Sequence, residues 1–240
     1  MNVIQANCRT RFTATDVEFI VSVLGPKVGQ ADCLVKLLAD EQTRDLILDD
    51  EALLHALLEH RGCLQVSSHF YFYVLVRQVF RRAGIESRAV ADYVAEVLAE
   101  FSRADRAACR LPGQSHPLEY FFEILAAMQN ATEAARFSLE AHIGNHALFL
   151  AGVFCARIQH RWETRGFPNL RYYEDLGRAH YHAASEHRLA RKYCLSEIFA
   201  VLAERFQAIR KALNDLADRL VSLSDIDSTA HLILPRSAGA

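Results

Sequence analysis

Apolar residues recur three or four positions apart along most of the chain, which is the spacing of amphipathic helices. Ser, Thr, Asp, Gly and Pro, the residues that commonly begin or end helices, separate these segments from one another. No alternating apolar and polar run stands out as a half-buried strand. The pattern therefore predicts an all-α fold, in which several helices pack as a bundle.

The interval from Ala141 to Ala156 contains no Asp, Glu, Lys or Arg. Its apolar residues fall on every side of a helix, as expected where other helices surround it. We predict a central buried helix over about residues 132–163, because Thr132 can cap its start. The uncharged interval is too short to cross a membrane as a helix. Gly144 and Gly152, eight positions apart near one face, predict a site where a neighbouring backbone comes close.

A second strong pattern covers the C-terminal part of the chain. Apolar residues from Leu195 to Leu223 follow four-three spacing over four heptads, which predicts one long helix. Its helix-helix seam contains Phe199, Phe206, Leu213 and Leu220. Since flanking apolar positions widen this face, the pattern favours a bundle of three or more helices. The seam can be filled within the chain or across a dimer.

Breaks in the pattern suggest how the chain is divided. Residues 1–223 are predicted to form a single all-helical domain. A subdomain boundary is predicted near 103–116, where polar and turn residues accumulate. Residues 224–240 are predicted to form a C-terminal tail. Gly25-Pro26 is expected to stop the first helix. The acidic stretch between Asp40 and Glu51 is interpreted as a solvated surface that includes helix caps.

Composition narrows the class of protein. The chain has 240 residues and a formal net charge of -2, so it has no global attraction to nucleic acid or to an anionic membrane. Its six cysteines are scattered without the spacing of a structural zinc site, and the N-terminal residues lack the apolar core of a signal peptide. These features predict reduced thiols, a cytoplasmic location and no membrane span.

Four histidines are the candidate metal ligands. His142 and His146 are one helical turn apart, a spacing that lets two imidazoles share an ion, and His180 and His182 follow on the next helical segment. In the simpler interpretation, buried histidines only satisfy hydrogen bonds between helices. The first expectation is that the chain holds no cofactor, and the alternative is that this cluster holds a metal ion or a haem.

A stripe of arginines, Arg157, Arg161 and Arg165, follows the uncharged interval at four-residue spacing. It can be a solvated helix end, favourably placed near the negative end of the helix dipole. It can also contact phosphate or an acidic partner, with the nearby aromatic residues Trp162 and Tyr172 as stacking surfaces. The stripe and these two aromatic residues form the candidate interaction surface.

The motifs of nucleotide-binding loops, dinucleotide-binding folds, serine hydrolases and zinc proteases are absent from the sequence. The sequence thus favours a non-catalytic protein that acts through association with another protein or with itself, as an adaptor, regulatory or self-associating module. A metal- or haem-binding bundle with redox or gas-sensing activity is the alternative. Nucleotide or nucleic-acid binding at the arginines is a weaker one.

Overall fold

The computed structural model describes residues 3–28, 31–59, 65–103, 109, 116–118 and 120–226. A short 3-10 helix, η1 (Cys8–Arg11), precedes thirteen α-helices in this part of the chain. They are α1 (Ala14–Val28), α2 (Ala31–Ala39), α3 (Glu41–Leu48), α4 (Glu51–Glu59), α5 (Ser68–Arg82), α6 (Arg88–Phe101), α7 (Phe121–Gln129), α8 (Glu133–Val153), α9 (Cys155–Arg165), α10 (Leu170–Glu186), α11 (Arg188–Lys192), α12 (Ser196–Glu204) and α13 (Phe206–Ile226).

The prediction of an all-α multi-helix bundle is confirmed. The described residues contain no strand, and their only β feature is an isolated bridge between Cys109 and Leu118. No helix among them has both the length and the apolar character that crossing a membrane requires.

Helix α8 is the central element of the bundle. Thr132 caps its start by accepting a hydrogen bond from the backbone N–H of Ala135 at 3.3 Å. Twelve of its residues are buried, and α6, α7, α10 and α13 pack around it. The uncharged interval is therefore buried because helices cover α8 on several sides.

The central helix is shorter than predicted. It ends at Val153, and Phe154 leaves the helical conformation with φ -115° and ψ 32° before α9 begins at Cys155. Neither Gly nor Pro marks this break. Buried residues of α8 continue to Gly152, whereas Ile158 is the buried residue of α9. The break thus separates a core helix from a surface helix, and packing rather than local sequence sets its position.

The C-terminal seam packs inside the chain. Phe199, Phe206 and Leu213 are buried and Leu220 is partly buried. The ring of Phe199 lies 5.4 Å from that of Tyr93 on α6. The predicted single helix is interrupted at Arg205, between α12 and α13. Of the two ways to fill the seam, the structure shows the one within the chain.

The two glycines of α8 face side chains rather than a neighbouring backbone. A Cβ at Gly144 would lie 2.7 Å from the ring of Tyr181 on α10, and one at Gly152 would lie 2.9 Å from Leu213 on α13. The close approach predicted at these positions therefore occurs, but with two different helices and with bulky side chains.

Three further predictions concern the ends of elements. Helix α1 continues through Gly25-Pro26 to Val28, so the predicted stop is wrong. Glycine has no Cβ to clash with the proline ring, which lets the residue before Pro26 remain helical. Most of the predicted boundary at 103–116 and residues 227–240 of the predicted tail lie outside the described residues, and α13 extends three residues beyond 223.

Substituting Gly177 by alanine is expected to destabilise the protein by about 1–3 kcal/mol, the usual cost of overpacking a core. A Cβ there would lie 2.4 Å from two ring carbons of Phe206 and 3.2 Å from the Cβ of Ala147. Since Phe206 is fully buried, its ring has no free space to move into. Urea unfolding measures the loss.

The control for this variant is Ala179→Gly, an exposed position two residues along the same helix. It isolates helix propensity, which disfavours glycine by about 1 kcal/mol. If Gly177→Ala instead stabilised the protein by that amount, the close packing of α10 against Phe206 would be contradicted.

Candidate binding site

The segment that follows Phe154 forms a corner on the surface of the bundle. Helix α9 ends at Arg165 and is followed by Gly166, whose left-handed conformation (φ 65°, ψ 23°) a glycine adopts without strain. Asn169 then caps α10 by accepting a hydrogen bond from the backbone N–H of Tyr172 at 3.0 Å. We call residues 154–173 the arginine corner.

The arginine corner contains a cavity of about 260 Å³. Arg157 and Arg161 lie at its wall, and its other lining residues are Leu150, Phe154, Ile158, Phe167, Pro168 and Tyr173. The guanidinium carbon of Arg161 lies 4.0 Å from the centre of the Phe167 ring, a cation–π contact that orients the side chain. The cavity is thus apolar with two cationic groups at its wall.

Three of the four arginines of the corner are not paired with a carboxylate among the described residues. Within the described part of the chain, no carboxylate forms an ion pair with Arg157, Arg161 or Arg165. The nearest acidic residues along α10 are engaged elsewhere: Glu174 binds Arg210 at 3.0 Å and Asp175 lies 3.6 Å from Arg171. With four arginines and one glutamate, Glu163, among residues 154–173, the corner is a local positive patch on a chain of nearly neutral net charge.

Aromatic side chains surround the same patch. Trp162 is 51% exposed, and Phe167 and Tyr172 are each 40% exposed. Large exposed aromatic residues beside arginine are typical of binding surfaces, where both residue types are enriched. Of the five residues predicted as an interaction surface, the structure places Arg157 and Arg161 at the cavity. Arg165, Trp162 and Tyr172 lie on its exposed surroundings.

Sequence reasoning did not find the cavity itself. A signal for it exists: Phe154 and Ile158 are one turn apart, and Arg157 and Arg161 each follow one of them by three positions. On a helix this arrangement places an apolar row beside a cationic row. The wall supplied by Phe167 and Tyr173 depends on how α10 folds back, which spacing along α9 does not reveal.

His142 and His146 lie side by side in an aromatic environment. Their ring centres are 5.8 Å apart, and that of His146 is 5.0 Å from Phe121. Nε2 of His142 and Nδ1 of His146 are buried and have no hydrogen-bond partner among the residues that the structure describes. Burial therefore lowers the pKa of His142 to about 3, with a smaller effect from His146, and lowers the pKa of His146 to about 4.

The other two candidate ligands lie elsewhere. His180 binds Glu140 through Nδ1, and Glu140 lies two positions from His142 and so points to the other side of α8. His182 is exposed, 3.8 Å from Glu186. The structure thus brings together two of the four histidines, whereas zinc sites use three or four protein ligands.

Among the described residues, one group of three side chains has its ligand atoms within 4.8 Å of one another: His69, Glu96 and Glu100. A guanidinium from η1 already lies within this group. Nη1 of Arg11 is 2.9 Å from Glu96, and it is 3.3 Å from Glu100 and from Nε2 of His69. Arg11 therefore supplies the positive charge that Glu96 and Glu100 require.

Part of the acidic stretch between Asp40 and Glu51 is buried rather than solvated, which corrects the prediction. Asp45 binds Arg9 of η1, and Asp49 receives two hydrogen bonds from Arg77, at 2.7 and 3.0 Å, and one from Arg88 at 2.9 Å. Burial raises the pKa of Asp49, but hydrogen bonds from both arginines outweigh it and lower the pKa below its ordinary value.

The chain was compared with protein-family models, with curated proteins and with solved structures, and no match was found in any of the three.

Proposed function

We propose that this chain is a non-catalytic binding protein that recognises an acidic segment of a partner protein at the arginine corner. The observation that carries the proposal is a set of three arginines without carboxylate partners among the described residues, two of them at the wall of an apolar cavity. Such a surface attracts a negatively charged partner and orients it through charge complementarity.

The cavity favours a protein partner over a nucleic acid. A single strand binds through a basic groove that follows many phosphates and through aromatic residues on which successive bases stack. Here the cationic groups border a partly open and mainly apolar cavity, which is the arrangement that receives a side chain. We also propose a reducing, cytoplasmic location, because Cys8, Cys155 and Cys194 are free thiols.

Reversing the charge at Arg161 is expected to weaken binding of an acidic peptide about 10-fold, which corresponds to about 1.4 kcal/mol. Glutamate at this position repels the peptide and removes the contact with Phe167. The probe is a fluorescein-labelled decapeptide of Glu and Asp with a central Phe, titrated with protein while fluorescence anisotropy is recorded.

The matched control is Arg191→Glu, because Arg191 is exposed on α11, beyond the far end of α10. At a rise of about 1.5 Å per residue, α10 separates this position from the corner by roughly 25 Å. The control variant should bind the peptide as the unaltered protein does. Equal weakening by both variants, or tighter binding of an oligothymidine with the same number of charges, would overturn the proposal.

A further inference from the structure

The cavity at the arginine corner has the composition of an anchor site. Its floor and walls are aliphatic and aromatic, with Leu150, Ile158 and Phe167 among the contributors. The nearest polar atoms that carry charge are the guanidinium groups of Arg157 and Arg161. An occupant must therefore combine an apolar body with a negative group beside it.

The volume limits what the occupant can be. Pockets for cofactors and drug-sized ligands are usually about 300–1,000 Å³, whereas an apolar cavity of about 150 Å³ holds a benzene molecule. At about 260 Å³ the cavity at the corner is too small for a haem or a dinucleotide and large enough for one aromatic side chain.

The two arginines are placed to hold an anion at the wall of the cavity. Arg157 and Arg161 are one turn apart on α9, so their guanidinium groups extend from the same face of the helix. Arg161 is already oriented by its contact with Phe167, which reduces the entropy lost when it binds a carboxylate. Guanidinium groups bind carboxylates through paired hydrogen bonds.

We infer that the cavity anchors one phenylalanine-sized side chain of the partner, and that Arg157 and Arg161 bind a carboxylate beside that side chain. This inference rests on the proposed function and narrows it. The recognised sequence is an aromatic residue flanked by Asp or Glu. A uniformly acidic segment carries the charge but has nothing to fill the cavity.

The test compares three decapeptides on the unaltered protein: acidic residues around a central Phe, the same peptide with Ala in place of Phe, and the Phe peptide with Gln and Asn replacing the acids. Burying the phenyl group should make the first bind about 10-fold more tightly than the second. The third should bind more weakly than the first, because it lacks the carboxylates.

The cavity is then narrowed by Leu150→Phe, with Ile158→Phe as a second variant and circular dichroism to verify folding. In a folded variant the Phe peptide should lose most of its advantage, while binding of the Ala peptide stays unchanged. This double comparison isolates the contact between the phenyl group and the cavity. The control variant is Ala179→Phe, which adds the same side chain at an exposed position of α10 outside the cavity.

Two other outcomes separate this inference from the proposed function. If the Phe and Ala peptides bind equally well and both depend on Arg161, the inference that the cavity anchors an aromatic side chain is wrong. The proposal that the arginine corner binds an acidic segment is then still supported. If no acidic peptide binds more tightly than its uncharged counterpart, both fail.

Discussion

Replacing Asp49 by alanine is expected to destabilise the protein by about 3–5 kcal/mol, the usual result of leaving a buried charge without its partner. Arg77 is 2% exposed, and Asp49 provides both of the carboxylate oxygens that it binds. Its remaining contacts are the carbonyl oxygen of Glu86 at 2.8 Å and the exposed Glu86 carboxylate at 3.9 Å. Neither replaces a charge-assisted pair of hydrogen bonds. Urea unfolding monitored by circular dichroism measures the loss.

The control is Asp175→Ala, which breaks an exposed pair with Arg171. These side chains are 62% and 85% exposed, so the expected change is within about 0.5 kcal/mol. A third variant combines Asp49→Leu with Arg77→Met and should recover much of the stability, because it removes both charges together. A similarly small loss for Asp49→Ala and Asp175→Ala would contradict the buried ion pair.

Stability is expected to fall by up to about 4 kcal/mol between about pH 7 and pH 5 because of His142 and His146. Their pKa values in the folded protein, about 3 and about 4, lie below the ordinary value of 6.5. In this window the unfolded chain binds protons at both imidazoles and the folded chain does not, so the stability present at neutral pH is lost as the pH decreases. Urea unfolding at a series of pH values follows the loss.

The double variant His142→Leu and His146→Leu should flatten this dependence, whatever its absolute stability. His182→Leu serves as the control, because the side chain of His182 is 69% exposed and should leave the slope unchanged. An unchanged slope in the double variant would mean that the two imidazoles are accessible to protons in the folded state.

Local patterns were sufficient to predict the fold class and the start of the central helix. Thr132 acts as the predicted cap of α8, since a side chain that binds a backbone group three residues later acts within its own segment. The burial of α8 also followed from the sequence, because a helix without charged residues gains stability when other helices cover it.

Features that depend on distant parts of the chain were not predicted. Asp49 resembles a surface residue next to other acids, and its burial depends on Arg77 and Arg88 from two other helices. The break at Phe154 has no local signal, because it marks where the chain leaves the core. Both are results of tertiary packing, which overrides local preference.

At the candidate site, too, local features could be predicted from the sequence, whereas features that depend on distant residues could not. The stripe of Arg157 and Arg161 could be seen in the spacing of the sequence, but its lack of carboxylate partners among the described residues could not. Glu174 lies close to the stripe in the sequence, and the structure pairs it with Arg210 on α13 instead. Whether an arginine is free to bind a partner depends on where every nearby carboxylate is used.

Trp162 is the only tryptophan of the chain and lies in the arginine corner, so its emission reports directly on this surface. The decisive measurement is a titration of the protein with the unlabelled acidic Phe peptide while tryptophan emission is recorded. Binding at the corner predicts a saturable change in emission that gives the same dissociation constant as anisotropy and is about 10-fold weaker in Arg161→Glu. Peptide binding that leaves the emission of Trp162 unchanged and does not depend on Arg161 would contradict the proposal that the arginine corner is the binding site.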